Sequence, residues 1–222
     1  PPLAANRDVL GSQRNFANGA APGLHFRADS QRVVFAAGQS VYSAPLDGSS
    51  PAVALVPARA NQYVQGVELP PGSGRALFRV LLQTGSYYDQ VYGQLYSAPS
   101  DGSATAVRLD SAPVGPVGGE RGVTAFAYDP RTNQAVYRGD ERDAYFFELF
   151  SAPIDGSAPG VVRSDLGSSL EVYGDVTSFQ LQSDGELAAY TARVDGGFGG
   201  TDPQGTYQVP LSGPPVSEPV PK

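Results

Sequence analysis

The stretch V-Y-S-A-P-L-D-G-S at residues 41–49 decides the fold, because it returns along the chain. The further copies are L-Y-S-A-P-S-D-G-S at residues 95–103, L-F-S-A-P-I-D-G-S at residues 149–157 and a weaker T-Y-Q-V-P-L-S-G-P at residues 206–214. The second position of every copy is aromatic. These aromatic residues, spaced 54, 54 and 57 positions apart, are Tyr42, Tyr96, Phe150 and Tyr207. A constant period of this length indicates one structural unit repeated in tandem.

A second element precedes each copy and contains two apolar residues eleven positions apart. The four pairs are Leu24 with Phe35, Val67 with Phe78, Phe126 with Tyr137, and Phe179 with Tyr190. Turn residues such as Gly, Pro, Asn, Asp and Ser separate the members of each pair, so each pair predicts a hairpin. The Asp-Gly of the first element predicts another tight turn, because these residues tolerate positive φ.

Each unit therefore predicts four antiparallel strands, A to D. In the third unit they are expected at residues 123–128, 134–138, 148–153 and 160–163. No segment of ten or more residues has the 3.6-residue apolar period of a helix. Four strands per ~50 residues in tandem predict an all-β fold, a β-propeller of four tandem four-stranded antiparallel blades. A β-sandwich is the alternative, with about seven strands per ~100 residues and no internal repeat.

The expected organisation is a single propeller domain over residues 1–222. Its parts are an N-terminal segment (1–19), blades at 20–57, 58–110, 111–164 and 165–216, and a Pro-rich tail (217–222). Residues 2–10 resemble the strand D region at residues 159–166. Two arrangements follow. Either this segment closes the ring as a strand of the fourth blade, or the chain is part of a larger or oligomer-closed ring with open sheet edges.

A strand ending in D-P or S-D-G, followed by x-x-A-x-Y and E-L-[YF]-S-A-P-x-D-G-S, resembles the TolB-like (WD40-like) bacterial propeller repeat. The same pattern is similar to blades of prolyl-oligopeptidase-type peptidases. The resemblance covers about residues 20–216. It implies a propeller fold and a bacterial-type extracytoplasmic location, whether periplasmic, cell-surface or secreted. TolB-like blades are nearer 40 residues, so the longer units here predict long B–C loops at residues 83–94, 139–147 and 195–205.

Composition excludes several classes of function. The net charge of −7 argues against a nucleic-acid partner, because phosphate binding needs a basic face. There is no apolar run of 18 residues to span a membrane. The absence of Cys removes disulfides and thiolate chemistry. The absence of Met, even at position 1, predicts a processed or trimmed chain, for which a removed signal peptide, trimming and proteolytic fragmentation are the alternatives.

Signals for catalysis are weak in the sequence. His25 is the sole histidine, no G-x-S-x-G nucleophile elbow occurs, and no spacing favours a particular carboxylate pair. We therefore expect no catalytic residues and no cofactor. Asp140, Glu141 and Asp143 form one weak Ca²⁺ candidate, because hard oxygen ligands suit this ion. They lack the D-x-D-x-D-G order of a calcium loop, so a solvated loop is the alternative.

Aromatic loops carry the stronger binding signal. The B–C and D–A connections of a propeller emerge on one face, and tyrosine combines apolar area with a hydrogen-bonding tip. The candidate binding residues are Tyr87, Tyr88, Asp89, Tyr92, Tyr145 and Phe146 in B–C loops, with Tyr63, Arg121 and Tyr173 in D–A loops. Packing of these rings against neighbouring blades is the alternative.

The resulting expectation is a non-catalytic extracytoplasmic propeller that binds or scaffolds a protein partner through its loop face or a free blade edge. One alternative is a substrate-gating or sugar-active propeller of a hydrolase or lyase parent. Another is a structural subunit of a cell-surface assembly. The expected partners are a protein, including a second copy of the chain or a larger complex, with no nucleic acid and no membrane span.

Overall fold

Antiparallel strands make up the regular structure of the described residues. The computed structural model describes residues 24–26, 31–83, 91–111, 120–142, 146–164, 174–182, 186–194, 204–214 and 218–219. These residues contain strands but no helix, and therefore no helix that could cross a membrane. Two compact units are present. One comprises Pro1–Arg108 with Ile154–Gly156, and the other Leu109–Pro153 with Ser157–Lys222.

Four sheets follow one another along the chain. The first contains β1 (Leu24–Phe26), β2 (Arg32–Ala37), β3 (Ser40–Pro45) and β4 (Val53–Ala54). The second contains β5 (Gln62–Glu68), β6 (Arg75–Gln83), β7 (Val91–Pro99) and β8 (Val107–Arg108). After the short β9 (Glu120–Gly122), the third contains β10 (Ala125–Asp129), β11 (Gln134–Gly139), β12 (Glu148–Pro153) and β13 (Val161–Val162). The fourth contains β14 (Gly174–Leu181), β15 (Leu187–Val194), β16 (Gln204–Pro210) and β17 (Glu218–Pro219).

Along β1–β4, β5–β8, β10–β13 and β14–β17 the strand order is the chain order, and neighbouring strands are antiparallel. The apolar pairs eleven residues apart are direct partners in the A–B ladders. They are Leu24↔Phe35, Val67↔Phe78, Phe126↔Tyr137 and Phe179↔Tyr190. The predicted hairpins are therefore confirmed, and the two apolar residues of each pair point to one face of a sheet.

Stacked aromatic rings join strands B and C in every sheet. The ring centroids lie 5.7 Å apart in Phe35–Tyr42, 6.1 Å in Phe78–Tyr96, 5.5 Å in Tyr137–Phe150 and 5.5 Å in Tyr190–Tyr207. Offset stacking adds to the burial of these rings. The repeat keeps an aromatic residue at both positions because each ring packs against the other.

The S-A-P-x-D-G-S turn is built by two local features. Gly48 and Gly102 have φ of 66° and 76°, which a Cβ disfavours. The Asp two residues before each serine caps the turn, since Ser49 N and Ser103 N each donate to an aspartate Oδ1 at 2.9 Å. This motif ends strand C abruptly and starts the return to strand D.

The serine of S-A-P accepts a hydrogen bond from an arginine Nε in three sheets. The pairs are Arg32–Ser43 at 2.9 Å, Arg75–Ser97 at 2.7 Å and Arg163–Ser151 at 2.7 Å. In the first two sheets the arginine begins strand B. Gln134 occupies that position in the third sheet, where Arg163 reaches the serine from beyond strand D instead.

Each sheet has two faces, which we name by their contents. The aromatic face bears the stacked ring pair, and the opposite face bears the aliphatic residue that precedes the strand B ring, such as Val34 or Val136. One buried cluster joins Val34 and Val41 of the first sheet to Phe78 on the aromatic face of the second. Ser43 Oγ also donates to the carbonyl oxygen of Ser100 at 2.6 Å.

The fourth sheet packs on the third in the same manner. A buried cluster joins Val136 and Leu149 of the third sheet to Tyr190 and Leu211 on the aromatic face of the fourth. Arg163 Nη1 adds a hydrogen bond to the carbonyl oxygen of Gly213 at 2.8 Å. These four-stranded units thus pack face to face as propeller blades do. Closure of a ring stays a prediction, and its proposed closing strand at residues 2–10 lies outside the described residues.

Candidate functional site

The end of strand β11 carries a cluster of buried polar side chains. The chain leaves the sheet at Gly139 and continues through Asp140 and Glu141, which are 0% and 9% exposed. Asp110, which follows strand β8 in sequence, is 7% exposed. Charged side chains are rarely buried to this degree unless they are paired. Each member of the cluster therefore needs a partner.

Arg121 and Asp140 form a buried ion pair with each other. The Arg121 Nε donates to Asp140 Oδ2, and both side chains are 0% exposed. The second carboxylate oxygen, Asp140 Oδ1, accepts from the backbone N–H of Gly122 at 2.7 Å. This pair fixes the B–C loop of the third sheet against strand β9.

The Glu141 carboxyl uses only part of its hydrogen-bonding capacity. Its carboxyl interacts with the Tyr137 hydroxyl and with Ser111, but Oε1 is buried with no hydrogen-bond partner among the described residues. Burial raises the pKa of Glu141, and the nearby negative charge of Asp110 raises it further, against the lowering effect of the Tyr137 and Ser111 hydrogen bonds. Glu141 is thus a carboxyl group that holds its proton to a higher pH than usual.

Packing holds Tyr137 beside this carboxyl. Its ring stacks on Phe150, and its hydroxyl donates to the carbonyl oxygen of Leu109 at 3.5 Å. Gly160 lies against the same hydroxyl, so closely that a Cβ at Gly160 would overlap it. The hydroxyl therefore has little freedom to move away from Glu141.

A second polar group lies where the same loop rejoins the sheet. The Arg138 guanidinium is 3.9 Å from the centroid of the Phe147 ring, and it contacts Asp175 Oδ1 at 3.4 Å. Arg142, which is half exposed, donates from Nε to Glu148 Oε2 at 2.7 Å. These contacts order both ends of the B–C loop of the third sheet.

Two predicted binding tyrosines lie in strands, not in loops. Tyr63 belongs to β5 and Tyr92 to β7, because the second sheet is longer than the repeat suggested and β6 continues to Gln83. Tyr63 pairs with Leu81, whereas Tyr92 pairs with Leu82. Adjacent positions of a strand point to opposite faces, so these two tyrosines do not form one surface.

The other predicted binding residues do not share one environment. Arg121 is fully buried in its ion pair, whereas Phe146 is half-buried beside Phe147. The remaining candidates, which lie outside the described residues, are Tyr87, Tyr88, Asp89, Tyr145 and Tyr173. The proposed binding face as a whole therefore stays a prediction.

The calcium candidate receives no support from the structure. Asp140 is engaged by Arg121 and Gly122, and Asp143 lies outside the described residues. Within the described part of the chain, no group of three or more His, Asp or Glu side chains could hold a metal ion. His25 is half-buried on β1, where burial lowers its pKa.

Sequence reasoning named Glu141 only as a metal candidate and did not name Asp110 or Ser111. Asp110 and Glu141 are far apart in the chain, and they interact only once the chain is folded. The one available signal was an acidic residue within two positions of a strand end in both places, at Asp110 and at Asp140. Polar residues at strand ends are too common for this signal to identify a site.

No protein family and no curated protein matches the sequence. Similar solved structures exist, however. An oligogalacturonate lyase from Vibrio parahaemolyticus is 10% identical with a TM-score of 0.55, over 89% of this chain and 52% of that one. An oligogalacturonate lyase in complex with manganese is 10% identical with a TM-score of 0.51, over 85% and 50%. A puromycin hydrolase is 20% identical with a TM-score of 0.54, over 92% and 31%.

These likenesses support a propeller-type fold. The chain spans about half the length of the two lyases and 31% of the hydrolase. All three proteins are enzymes by name, and they contradict the expectation of a non-catalytic scaffold. The hydrolase or lyase alternative fits the comparisons better. The expectation was wrong because a missing sequence motif says little about carboxyl groups that meet only in the folded chain.

Proposed function

We propose that the chain is the propeller part of a lyase or hydrolase that acts on a saccharide, with Glu141 as its proton donor. The observation that carries this proposal is the buried carboxyl of Glu141, whose Oε1 has no described partner. Perturbed carboxyl groups are concentrated at catalytic sites. The extracytoplasmic location belongs to the same proposal and rests on the resemblance to TolB-like repeats.

The chemistry follows from the two carboxyl groups of the site. Because burial and Asp110 raise the pKa of Glu141, this residue holds its proton to a higher pH than an ordinary glutamate does and can deliver it to a leaving oxygen. Asp110 is the second carboxyl group of the site, and acid and base roles commonly fall to two carboxyl groups in different environments. Tyr137 and Ser111 hold the Glu141 carboxyl in position.

A pH-resolved assay on oligogalacturonate tests this proposal. Elimination produces an unsaturated sugar that absorbs in the ultraviolet, and hydrolysis produces a new reducing end. Glu141→Gln should lower kcat by about 100-fold or more, as loss of a general acid does. Glu186→Gln, at an exposed position, is the matched control and should keep full activity. Equal activity of wild type and Glu141→Gln would show that Glu141 is not the proton donor.

A second candidate is a propeller that serves a separate hydrolytic domain and controls which substrates reach it. The specific observation is that the likeness to puromycin hydrolase covers 92% of this chain but 31% of that one. In this case the isolated chain should turn over no saccharide and should bind puromycin in a calorimetric titration. Saccharide turnover that depends on Glu141 would exclude this candidate.

A further inference from the structure

The first sheet exposes part of its aromatic face, although the Phe35 ring on that face is only 2% exposed. Leu24 and Phe26 on strand β1 are 52% and 58% exposed. Leu46, in the turn after strand β3, is 44% exposed. Leu24 is the direct partner of Phe35, so it shares a face with the stacked Phe35–Tyr42 pair. Three large apolar side chains thus lie open on one side of one sheet, which is typical of a surface that binds another protein.

The same repeat positions are covered in the second sheet. Val67 and Leu69, which correspond to Leu24 and Phe26, pack on the core cluster shared with the first sheet. Ser100, which corresponds to Leu46, is 1% exposed. The aromatic face of the second sheet is therefore buried because the opposite face of the first sheet lies against it.

The fourth sheet repeats this arrangement. Phe179 and Leu181 pack on the cluster shared with the third sheet, and Leu211, at the position of Leu46, is 0% exposed. Two independent examples thus show what covers an aromatic face in this repeat. In both examples the aromatic face is covered by the opposite face of another sheet of the same type.

The fourth sheet offers such an opposite face. Ala189 stands at the position of Val34 and Val136, and Thr206 at the position of Val41 and Leu149. The four aliphatic residues are all 0% exposed, whereas Ala189 is half-buried and Thr206 is exposed. Beside Ala189 lies an open cavity of about 500 Å³, lined by Gln180, Leu181, Gln182 and Ala189.

We propose that the aromatic face of the first sheet binds the opposite face of the fourth sheet in a second copy of this chain. The large side chains Leu24, Phe26 and Leu46 meet the small Ala189 and its adjacent cavity. Head-to-tail contacts of this kind form a closed ring when the rotation fits. Two copies carry eight sheets, within the range of about four to eight blades, and each chain spans about half of a lyase structure.

Sedimentation equilibrium of the full chain tests this assembly, which does not depend on the proposed enzyme activity. Wild type should have twice the chain mass. Phe26→Asp/Leu46→Asp should weaken association by at least about tenfold, because charges would be buried among apolar groups. Ala104→Asp/Ala158→Asp introduces the same charges at exposed positions in the turns of the second and third sheets, and should associate as wild type does. A wild-type monomer at all concentrations would overturn the proposal.

Mixing two variants tests the head-to-tail arrangement. Ala189→Arg damages the fourth sheet, and Phe26→Asp/Leu46→Asp damages the first, so each variant alone should be monomeric. An equal mixture retains one intact contact and should form a heterodimer. No heterodimer in the mixture, with both variants folded by circular dichroism, would contradict the arrangement.

Thiol protection gives an independent measurement, because the chain has no cysteine of its own. In the Leu46→Cys variant, the rate of alkylation should fall several-fold as the protein concentration rises. The Ala104→Cys variant is the control, and its rate should stay constant. Equal behaviour of the two variants would show that Leu46 is not covered in solution.

Discussion

Arg163 donates from Nε to Ser151 Oγ at 2.7 Å, although its counterparts Arg32 and Arg75 reach their serines from strand B. The third sheet thus obtains the same contact from a residue that follows strand D. Its strand B position holds Gln134, whose Oε1 is buried without a partner among the described residues. The contact is kept although the residue that supplies it has changed.

Removal of the Ser151 hydroxyl should therefore destabilise the protein. Ser151 is 1% exposed and Arg163 is 6% exposed, so water cannot replace the lost acceptor. Ser151→Ala should lower the free energy of unfolding by about 1–3 kcal/mol. Urea denaturation measures this change, and Ser103→Ala, at an exposed turn position, should have little effect. A loss below about 0.5 kcal/mol would mean that the arginine finds another acceptor.

The buried Arg121–Asp140 pair should show strong non-additivity. Asp140→Ala leaves the Arg121 charge buried and should cost about 3–5 kcal/mol of unfolding free energy. Arg121→Met/Asp140→Leu removes both charges and should be much closer to wild type. Urea denaturation of both single variants and the double variant measures the coupling. A double variant as unstable as the sum of the single ones would contradict this expectation.

Glu141 should make stability depend on pH in a defined direction. Because burial raises its pKa above the ordinary value of 4.5, the folded chain holds a proton that the unfolded chain has lost. Stability from this group therefore falls as pH rises from 4.5 through the raised value, by about 1.4 kcal/mol per unit of pKa difference.

Glu141→Gln cannot ionise and should remove this loss. Its Tm relative to wild type should be higher at pH 8 than at pH 4, whereas the exposed Glu186→Gln should show no such trend. Thermal melts at both pH values provide the measurement. A constant difference between Glu141→Gln and wild type would mean that Glu141 titrates normally.

Gly160 should tolerate a side chain only when the Tyr137 hydroxyl is removed. A Cβ at Gly160 would overlap that hydroxyl, so Gly160→Ala should cost about 1–3 kcal/mol through overpacking. Tyr137→Phe should reduce this cost when combined with Gly160→Ala. Gly139→Ala is the control, because its Cβ would meet only ordinary contacts at 3.7 Å. A double-mutant cycle with no coupling would rule out the clash.

Local chemistry made the sheets predictable. The expected strands of the third unit agree with the structure to within two residues, since Asp-Gly turns and paired aromatic residues act over short distances. The length of the second sheet was missed. Its A–B ladder shifts register between Val64 and Val67, and a bulge of this kind leaves no clear mark in the alternation of apolar residues.

The site was less predictable, because it depends on contacts between distant parts of the chain. Arg121 was expected on a binding face, as arginine usually is, but an ion pair with Asp140 buries it. Glu141 gains its character from Asp110, Ser111 and Tyr137. The hydroxyl of Tyr137 is fixed by stacking and by Gly160. None of these relations is encoded in the spacing of the repeat.

The open face of the first sheet has a consequence for how the protein unfolds. In an array of repeated units, each unit is stabilised by its nearest neighbours, and cooperative melting begins where a neighbour contact is missing. The first sheet is packed on the second through its opposite face, whereas Leu24 and Phe26 on its aromatic face are exposed. Its backbone amides should therefore exchange with solvent sooner than those of the second sheet, and a protease that cleaves transiently opened segments should cut there first.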